Sequence, residues 1–241
     1  MRITQQPGYV LHSRAWRETS LLLEAFTRDH GRVGLVARGV RGARSRLPRS
    51  ALEPLQALHL DWSGRGELQA LTAVEAAGNT PGLHGDALLS GMYVNELLVR
   101  LTARNDPHPG LFERYASLLA ELAGAPSLAW RLRCFERDLL AAIGYALQME
   151  VDADTGAPID SACDYDYFPE HGAVAAGAHS AGAYSTTRVR GSALLALARG
   201  TQPDAADLAA LRRLMRALIG VHVGAGGLQS WRVLAEPLRQ G

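Results

Sequence analysis

Six arginines fall within the eighteen residues from Arg32 to Arg49: Arg32, Arg38, Arg41, Arg44, Arg46 and Arg49. No acidic residue interrupts them, and Gly31, Gly34, Gly39 and Gly42 punctuate the stretch. Each guanidinium can grip a phosphate and release a counterion, so an unpaired run of this kind binds polyanions. Arg14 and Arg17 flank Trp16 a little upstream, which adds a ring on which a base can stack. Tyr9, Phe26 and Trp62 are further candidate platforms, although the core is the more ordinary place for each.

A second chemistry is suggested between residues 150 and 170. Glu150, Asp152, Asp154, Asp160, Asp164, Asp166 and Glu170 occur there with no arginine among them. Clustered carboxylates can hold a divalent ion for phosphodiester hydrolysis. Asp164 and Asp166, however, alternate with Tyr165, Tyr167 and Phe168, as the wet face of a hairpin does. Cys163, His171 and His179 beside Asp164 match no spacing of zinc ligands. The loop Gly224-Ala225-Gly226-Gly227 lacks the preceding strand and the lysine of a phosphate loop. No nucleophile and base stand out as a set. The chain is therefore expected to be a binding protein rather than an enzyme, with no catalytic residue, no metal site and no cofactor.

The charge distribution points the same way. Residues 1–50 carry ten arginines against Glu18, Glu24 and Asp29, a net of +7, and the remaining 191 residues carry fifteen arginines against twenty-one acids, a net of −6. The overall charge of +1 conceals a basic head on an acidic body. Every basic residue of the lysine or arginine type is arginine, the residue that grips phosphate bidentately and stacks on bases. Two cysteines suggest neither a disulfide framework nor a four-thiolate zinc site. The start, MRITQQPGYV, has no apolar core of signal-peptide length, and no apolar run is long enough to span a bilayer. A cytoplasmic protein without a membrane partner is expected.

The elements that must position these residues change character near Gly78. Before it the pattern is of short strands: one beginning at Val10, then Ser20 to Phe26, Val33 to Val36, Leu55 to Asp61 and Glu67 to Ala73, with turns at Asp29-His30-Gly31 and Ser63-Gly64-Arg65-Gly66. Five strands with a basic excursion after the third fit a small barrel of the oligonucleotide-binding type. An SH3-like barrel would give a similar string. After Gly78 the period is helical, with candidates at 86–104, 109–123, 127–143, Ser192–Arg199, Asp204–Val221 and Ser230–Leu238. Residues 150–190 interrupt them as a short β-hairpin insert. The fold class is α+β: a barrel domain at 1–79 and a mainly helical domain at 80–241.

One helix offers a second kind of site. On 127–143, Leu128, Leu132, Phe135, Leu139 and Ile143 share a face, while Trp130 points away with Arg133, Cys134 and Arg137. An aromatic flanked by arginines suits an acidic peptide with an apolar end, and packing beneath another helix is the alternative.

The residues also resemble a known family. The opening YVLHSRAWRETSLLLEAFTRDHGRVGLVARGVRG, the following LEPLQALHLDWSGRGELQALTAVEA, the helical SGMYVNELLVRL and RCFERDLLAAIGYAL, and the closing VGAGGLQSWRVL are together similar to RecO, a family of bacterial recombination and repair proteins. The likeness is collinear over nearly the whole chain. It implies an oligonucleotide-binding barrel followed by a helical domain with a small zinc-finger-like insert. It implies single-stranded DNA binding, annealing of complementary strands, and loading of RecA with the partner RecR onto DNA coated by single-stranded-DNA-binding protein. It also implies binding of that protein's acidic, apolar-ended tail, and a place at the bacterial nucleoid. Whether duplex DNA also binds stays open. Some members bind zinc through four cysteines in the insert. Here only Cys163 lies there, so the insert is expected to lack zinc and to be held by Tyr165, Tyr167 and Phe168.

Overall fold

The computed structural model describes residues 2–40, 47–78, 82–124, 127–177, 186–224 and 226–231. Two compact units divide the chain, Met1–Ala125 with Leu228–Gly241, and Pro126–Gly227.

In the first unit the longest strand, β1, runs from Arg2 to Trp16. It starts well before Val10, through Pro7 and Gly8, residues that ordinarily break strands. They are tolerated because β1 bends there. It pairs with β4 (Ala57–Ser63) from Arg2 to Tyr9 and with β2 (Ser20–Thr27) from Gly8 to Trp16, and its register shifts between Ile3 and Gln6 and between Val10 and His12. Gly8 sits at the changeover, where a Cβ would lie 2.9 Å from Leu60 Cδ1. Bulges of this kind let one strand serve two sides of a curved sheet. β3 (Gly31–Ala37) pairs antiparallel with β2, and β5 (Leu68–Ala76) pairs antiparallel with β4 and parallel with β3. The sheet thus closes on itself as a barrel in the order β1-β2-β3-β5-β4.

Alternation along the strands fills the barrel with Val10, Leu23, Val33, Leu35, Leu58, Leu60 and Trp62. Val40 and Leu47 enter the same core, as does Leu52 at the end of a 3-10 turn, Arg49–Leu52. The basic excursion between β3 and β4 is therefore anchored at both ends by apolar side chains. Helices α1 (Gly85–Leu101) and α2 (Pro109–Leu122) complete this unit. Asn95 on α1 is buried. It donates to the Leu11 carbonyl at 3.0 Å and accepts from the Tyr115 hydroxyl of α2 at 2.6 Å. Tyr9 and Phe26 meet Phe112 and Tyr115 with centroids 4.9 to 6.1 Å apart. The change of period near Gly78 is thus a change of element type inside one unit. Tyr93 and Leu97 face its core as their spacing suggests, but Leu89 and Met92 are 39% and 42% exposed.

In the second unit, α3 (Leu128–Ala142), α4 (Gly191–Arg199) and α5 (Ala205–Val223) accompany a small sheet. The insert is more than a hairpin. β6 (Asp164–Phe168) pairs with β7 (Gly172–Ala175) on one side and with β8 (Thr187–Arg190) on the other, giving the order β7-β6-β8. The third strand is hard to see in sequence because Thr187–Arg190 is only four residues long and runs straight into α4. Tyr165 and Tyr167 are buried and Phe168 half-buried. Their hydroxyl groups also serve the backbone: Tyr165 accepts from Asp160 N–H at 2.9 Å and Tyr167 from Gln148 N–H at 3.2 Å. Burial pushes the Tyr167 hydroxyl up to about 12. The buried Asp152 carboxylate accepts from the N–H groups of Asp154, Thr155 and Ala175, and these hold its pKa below the ordinary value. Asp164 and Asp166 lie on the wet face, Asp166 paired to Arg188 at 2.9 Å.

The last expected helix, Ser230–Leu238, falls mostly outside the described residues, which stop at Trp231.

Candidate nucleic-acid interface

The described head arginines separate into those held by protein partners and those presented to solvent. Arg32 belongs to the first group, which corrects its assignment to phosphate binding. It projects from β3 beside Glu24 of β2, with Nη1 2.7 Å from the carboxylate and each side chain 14% exposed. Its Nε and Nη2 donate to the Thr102 carbonyl at 3.2 and 2.9 Å. Arg104 shares the same Glu24 carboxylate. The chain after α1 runs alongside β3 here, with Asn105 N–H donating to the Arg32 carbonyl at 2.9 Å. Gly31 makes that approach possible: its φ is +64° and a Cβ would lie 2.0 Å from the Asp106 carbonyl oxygen. Arg28 is also engaged, with Asp29 at 2.9 Å. That contact, with Gln6, pulls the Asp29 carboxyl down to about 2.

Two of the three head acids are thereby matched, and the remaining arginines have no carboxylate partner among the described residues. Arg14 is exposed near the end of β1, its guanidinium 5.9 Å from the centroid of the half-buried Trp16. That cation–π contact holds the ring and the charge together. Arg17 stands in the turn to β2 with φ +52°. A side chain in that left-handed region costs about 1 kcal/mol, which glycine would avoid. Arg38 is exposed just beyond β3. Trp16, Arg17, Glu18, Arg38, Gly39 and Leu68 line an open cleft of about 800 Å³. Arg49 is exposed on the 3-10 turn, whose Leu52 is locked in the barrel core. Arg41, Arg44 and Arg46 lie outside the described residues.

Arg65 is a residue that pattern reading passed over. It is exposed in the β4–β5 turn, which leads directly to Leu68 on the cleft wall. The signal was present as Gly64-Arg65-Gly66, a lone cation between two glycines, but it reads first as a turn. Among the described residues Glu18 is the one acid on the cleft, where it opposes an anionic ligand. Phe26 and Trp62 are buried in the interior, and Tyr9 is half-buried with its ring against Phe112 and Tyr115.

Helix α3 does not present the open face expected of it. Trp130 is 4% exposed, Cys134 is buried, and Arg133 is buried against Glu136 one turn on. Arg137 donates to the Leu197 carbonyl at 2.5 Å and pairs with Asp138 at 2.7 Å. A carboxylate within a turn lets these arginines enter the packing of α3 against its neighbours. Among the described residues no three His, Cys, Asp or Glu side chains come together as a metal site, and His179 lies outside them. No helix there is long and apolar enough to cross a membrane.

Comparison with known proteins agrees with this architecture. Residues 1–80 match the family model described as recombination protein O N terminal, and residues 83–232 match recombination protein O C terminal. The chain belongs to the RecO family. Among curated RecO relatives, the DNA repair protein RecO of Xanthomonas euvesicatoria pv. vesicatoria (strain 85-10) is 46% identical over 240 residues, covering 100% of both chains. The protein of the same name from Xanthomonas campestris pv. campestris (strain B100) is 45% identical over 241 residues with the same coverage. That of Stenotrophomonas maltophilia (strain K279a) is 45% identical over 236 residues, or 98% of each. The RecO likeness therefore extends through the barrel, the cleft and the second unit alike.

Proposed function

We propose that this RecO-family chain acts in DNA repair and recombination by holding single-stranded DNA along its backbone at the barrel cleft. The observation that carries the reading is the cleft itself: Arg17 and Arg38 stand on its wall beside Trp16, with Arg14 stacked near the ring, and none has a carboxylate partner among the described residues. The closed order β1-β2-β3-β5-β4, with Arg17 on the β1–β2 turn and Arg65 on the β4–β5 turn, supports an oligonucleotide-binding barrel, which takes its ligand at those turns. Arg17 kept in a costly left-handed conformation also favours a functional role for its side chain. Arg41, Arg44, Arg46, Arg49 and Arg65 extend the set of phosphate contacts, and duplex DNA is a weaker ligand of the same charges.

Neutralising phosphates on complementary strands lowers their repulsion and promotes annealing. In the cell the protein works in the cytoplasm, at the nucleoid. With RecR it helps load RecA onto DNA coated by single-stranded-DNA-binding protein, whose acidic tail it engages. This work is binding, not catalysis, and needs no cofactor. A titration of labelled single-stranded oligonucleotide over a range of salt tests the reading. Changing Arg14, Arg17 and Arg38 together to alanine should weaken binding and reduce the log–log salt slope by about 2, from three lost phosphate contacts. An unchanged affinity and slope would overturn the assignment of the cleft.

A further inference from the structure

The first unit carries an apolar groove that the barrel cleft does not use. It has a volume of about 610 Å³ and runs between α1 and β1, lined by Leu11, His12, Leu89, Met92 and Val99, with Ser230 at its edge. Leu88, Leu89 and Met92 are large apolar side chains left exposed within five residues of α1. An apolar surface of this kind marks a place where something docks.

The chain itself returns to this groove. From Leu228 onward it belongs to the first unit again, Leu228 is buried, and Gln229, Ser230 and Trp231 begin a helical turn. That turn starts on Glu96 of α1, whose carboxylate accepts from the Gln229 and Ser230 N–H groups at 2.6 and 2.9 Å and from the Ser230 hydroxyl at 2.6 Å. The N–H groups of a first helical turn have no partner within the helix, and a carboxylate there satisfies them and meets the positive end of the dipole. A glutamate of α1 thus fixes the start of the last element at the edge of the groove. Ten residues follow Trp231, RVLAEPLRQG, and lie outside the described residues. Trp231, Leu234 and Leu238 recur at intervals of three and four, and Arg232, Glu236 and Arg239 at four and three, the pattern of a segment with one apolar side. Helix continued from Gln229 to the residue before Pro237 would extend about 12 Å, against roughly 15 Å of α1 between Leu89 and Val99.

We propose that the C-terminal segment 232–241 is the occupant of this groove, a strap that lays Leu234 and Leu238 over Leu89 and Met92 and fastens the end of the chain to α1 and β1. A segment tethered beside its site acts at an effective concentration on the order of millimolar, so it prevails there over a second copy of the chain or a free apolar peptide. The strap shields apolar surface on the strand that continues to Arg14 and Trp16. Its place does not depend on what the barrel cleft binds.

Cysteine pairs on the full chain test the placement, with the exposed Cys163 changed to serine throughout and the buried Cys134 kept. A disulfide needs Cα atoms within about 7 Å of each other. Met92→Cys with Leu234→Cys should close a bond within one chain under mild oxidation at low protein concentration, read by peptide mass mapping. Met92→Cys with Arg239→Cys, on the polar side of the segment, should stay largely reduced. A bond formed only between chains would put a second copy in the groove, and a Leu234 pair that closes no faster than the Arg239 pair would leave the groove without the segment; either result overturns the proposal. A second measurement withdraws the strap, in a chain ending at Trp231 and in a full-length chain with Leu234→Asp and Leu238→Asp. Amide exchange in α1 from Leu88 to Val99 should quicken about tenfold in both, because the covering layer is lost. Exchange equal to that of the parent in the aspartate variant overturns the proposal as well. Circular dichroism checks the fold of the shortened chain, and if that chain does not fold, the aspartate variant and the cysteine pairs decide.

Discussion

Arg32 and Arg38 stand six positions apart in one basic run, and the structure gives them different surroundings, Arg32 among protein partners and Arg38 in water. Arg32→Ala removes two hydrogen bonds to the Thr102 carbonyl and one of the two guanidinium partners of Glu24. Arg104 remains on Glu24, so the carboxylate is not left bare. A hydrogen bond to a charged group contributes about 1.5–3 kcal/mol, and the retained pair keeps the loss near the middle of that range, about 2 kcal/mol. For a chain of this length that corresponds to a fall of roughly 4–8 °C in melting temperature. Arg38→Ala removes an exposed side chain without a carboxylate partner, and stability should stay within about 0.5 kcal/mol of the parent. DNA binding should show the inverse: Arg38→Ala lowers the salt slope by about 0.7, for one phosphate on a single strand, and Arg32→Ala leaves it unchanged. Calorimetry and salt-dependent anisotropy on the same two variants give all four values. If Arg32→Ala melts with the parent and loses as much salt dependence as Arg38→Ala, the division of the run into interior and cleft arginines is wrong.

Glu18→Gln should tighten single-stranded DNA binding, because Glu18 is the acid on the cleft wall; an exposed charge contributes up to about 1 kcal/mol, or roughly fivefold, and anisotropy at low salt measures it. Asp152 bears on acid stability. Its carboxyl is held below its ordinary value of 3.8 by N–H donors from Thr155, Ala175 and Asp154, so the folded state binds this proton less readily than the unfolded chain. The stabilisation is present above pH 3.8 and fades as pH falls through the lowered value. Asp152→Asn should therefore lower the melting temperature at neutral pH and flatten its dependence on acid; an equally steep acid limb in the variant would show that other groups carry it.

The barrel was legible because its signals are local. Asp29-His30-Gly31 and Ser63-Gly64-Arg65-Gly66 mark two hairpins, and β2 and β3 follow with ends close to those expected. What escaped was non-local. β1 extends through Pro7 and Gly8 only because it turns there from one neighbour to another, and β8 is a strand only because β6 lies beside it. Helical spacing on α1 groups Leu89 and Met92 with Tyr93 and Leu97, but spacing reports which residues share a side, not how far the covering layer reaches. Trp130 shows the converse: a helix with two apolar sides can be covered on both.

The same contrast explains why an arginine count alone locates a binding surface poorly in a chain without lysine. Arg133 is buried and Arg32 half-buried, while Arg17 and Arg38 are exposed. The difference is a carboxylate within geometric reach: Glu24 on the adjacent strand for Arg32, Glu136 one turn along the helix for Arg133. A guanidinium can leave water only when its charge is matched, since an unmatched buried charge costs several kcal/mol. Arginines without such a partner must stay in water, where they are available to phosphate. The head has ten arginines and three acids, so most of its arginines cannot be matched there whatever the fold. In the body, acids outnumber arginines, and Arg104, Arg133, Arg137 and Arg188 each have a carboxylate at hand. Pairing potential, read strand by strand and turn by turn, therefore singles out the barrel cleft.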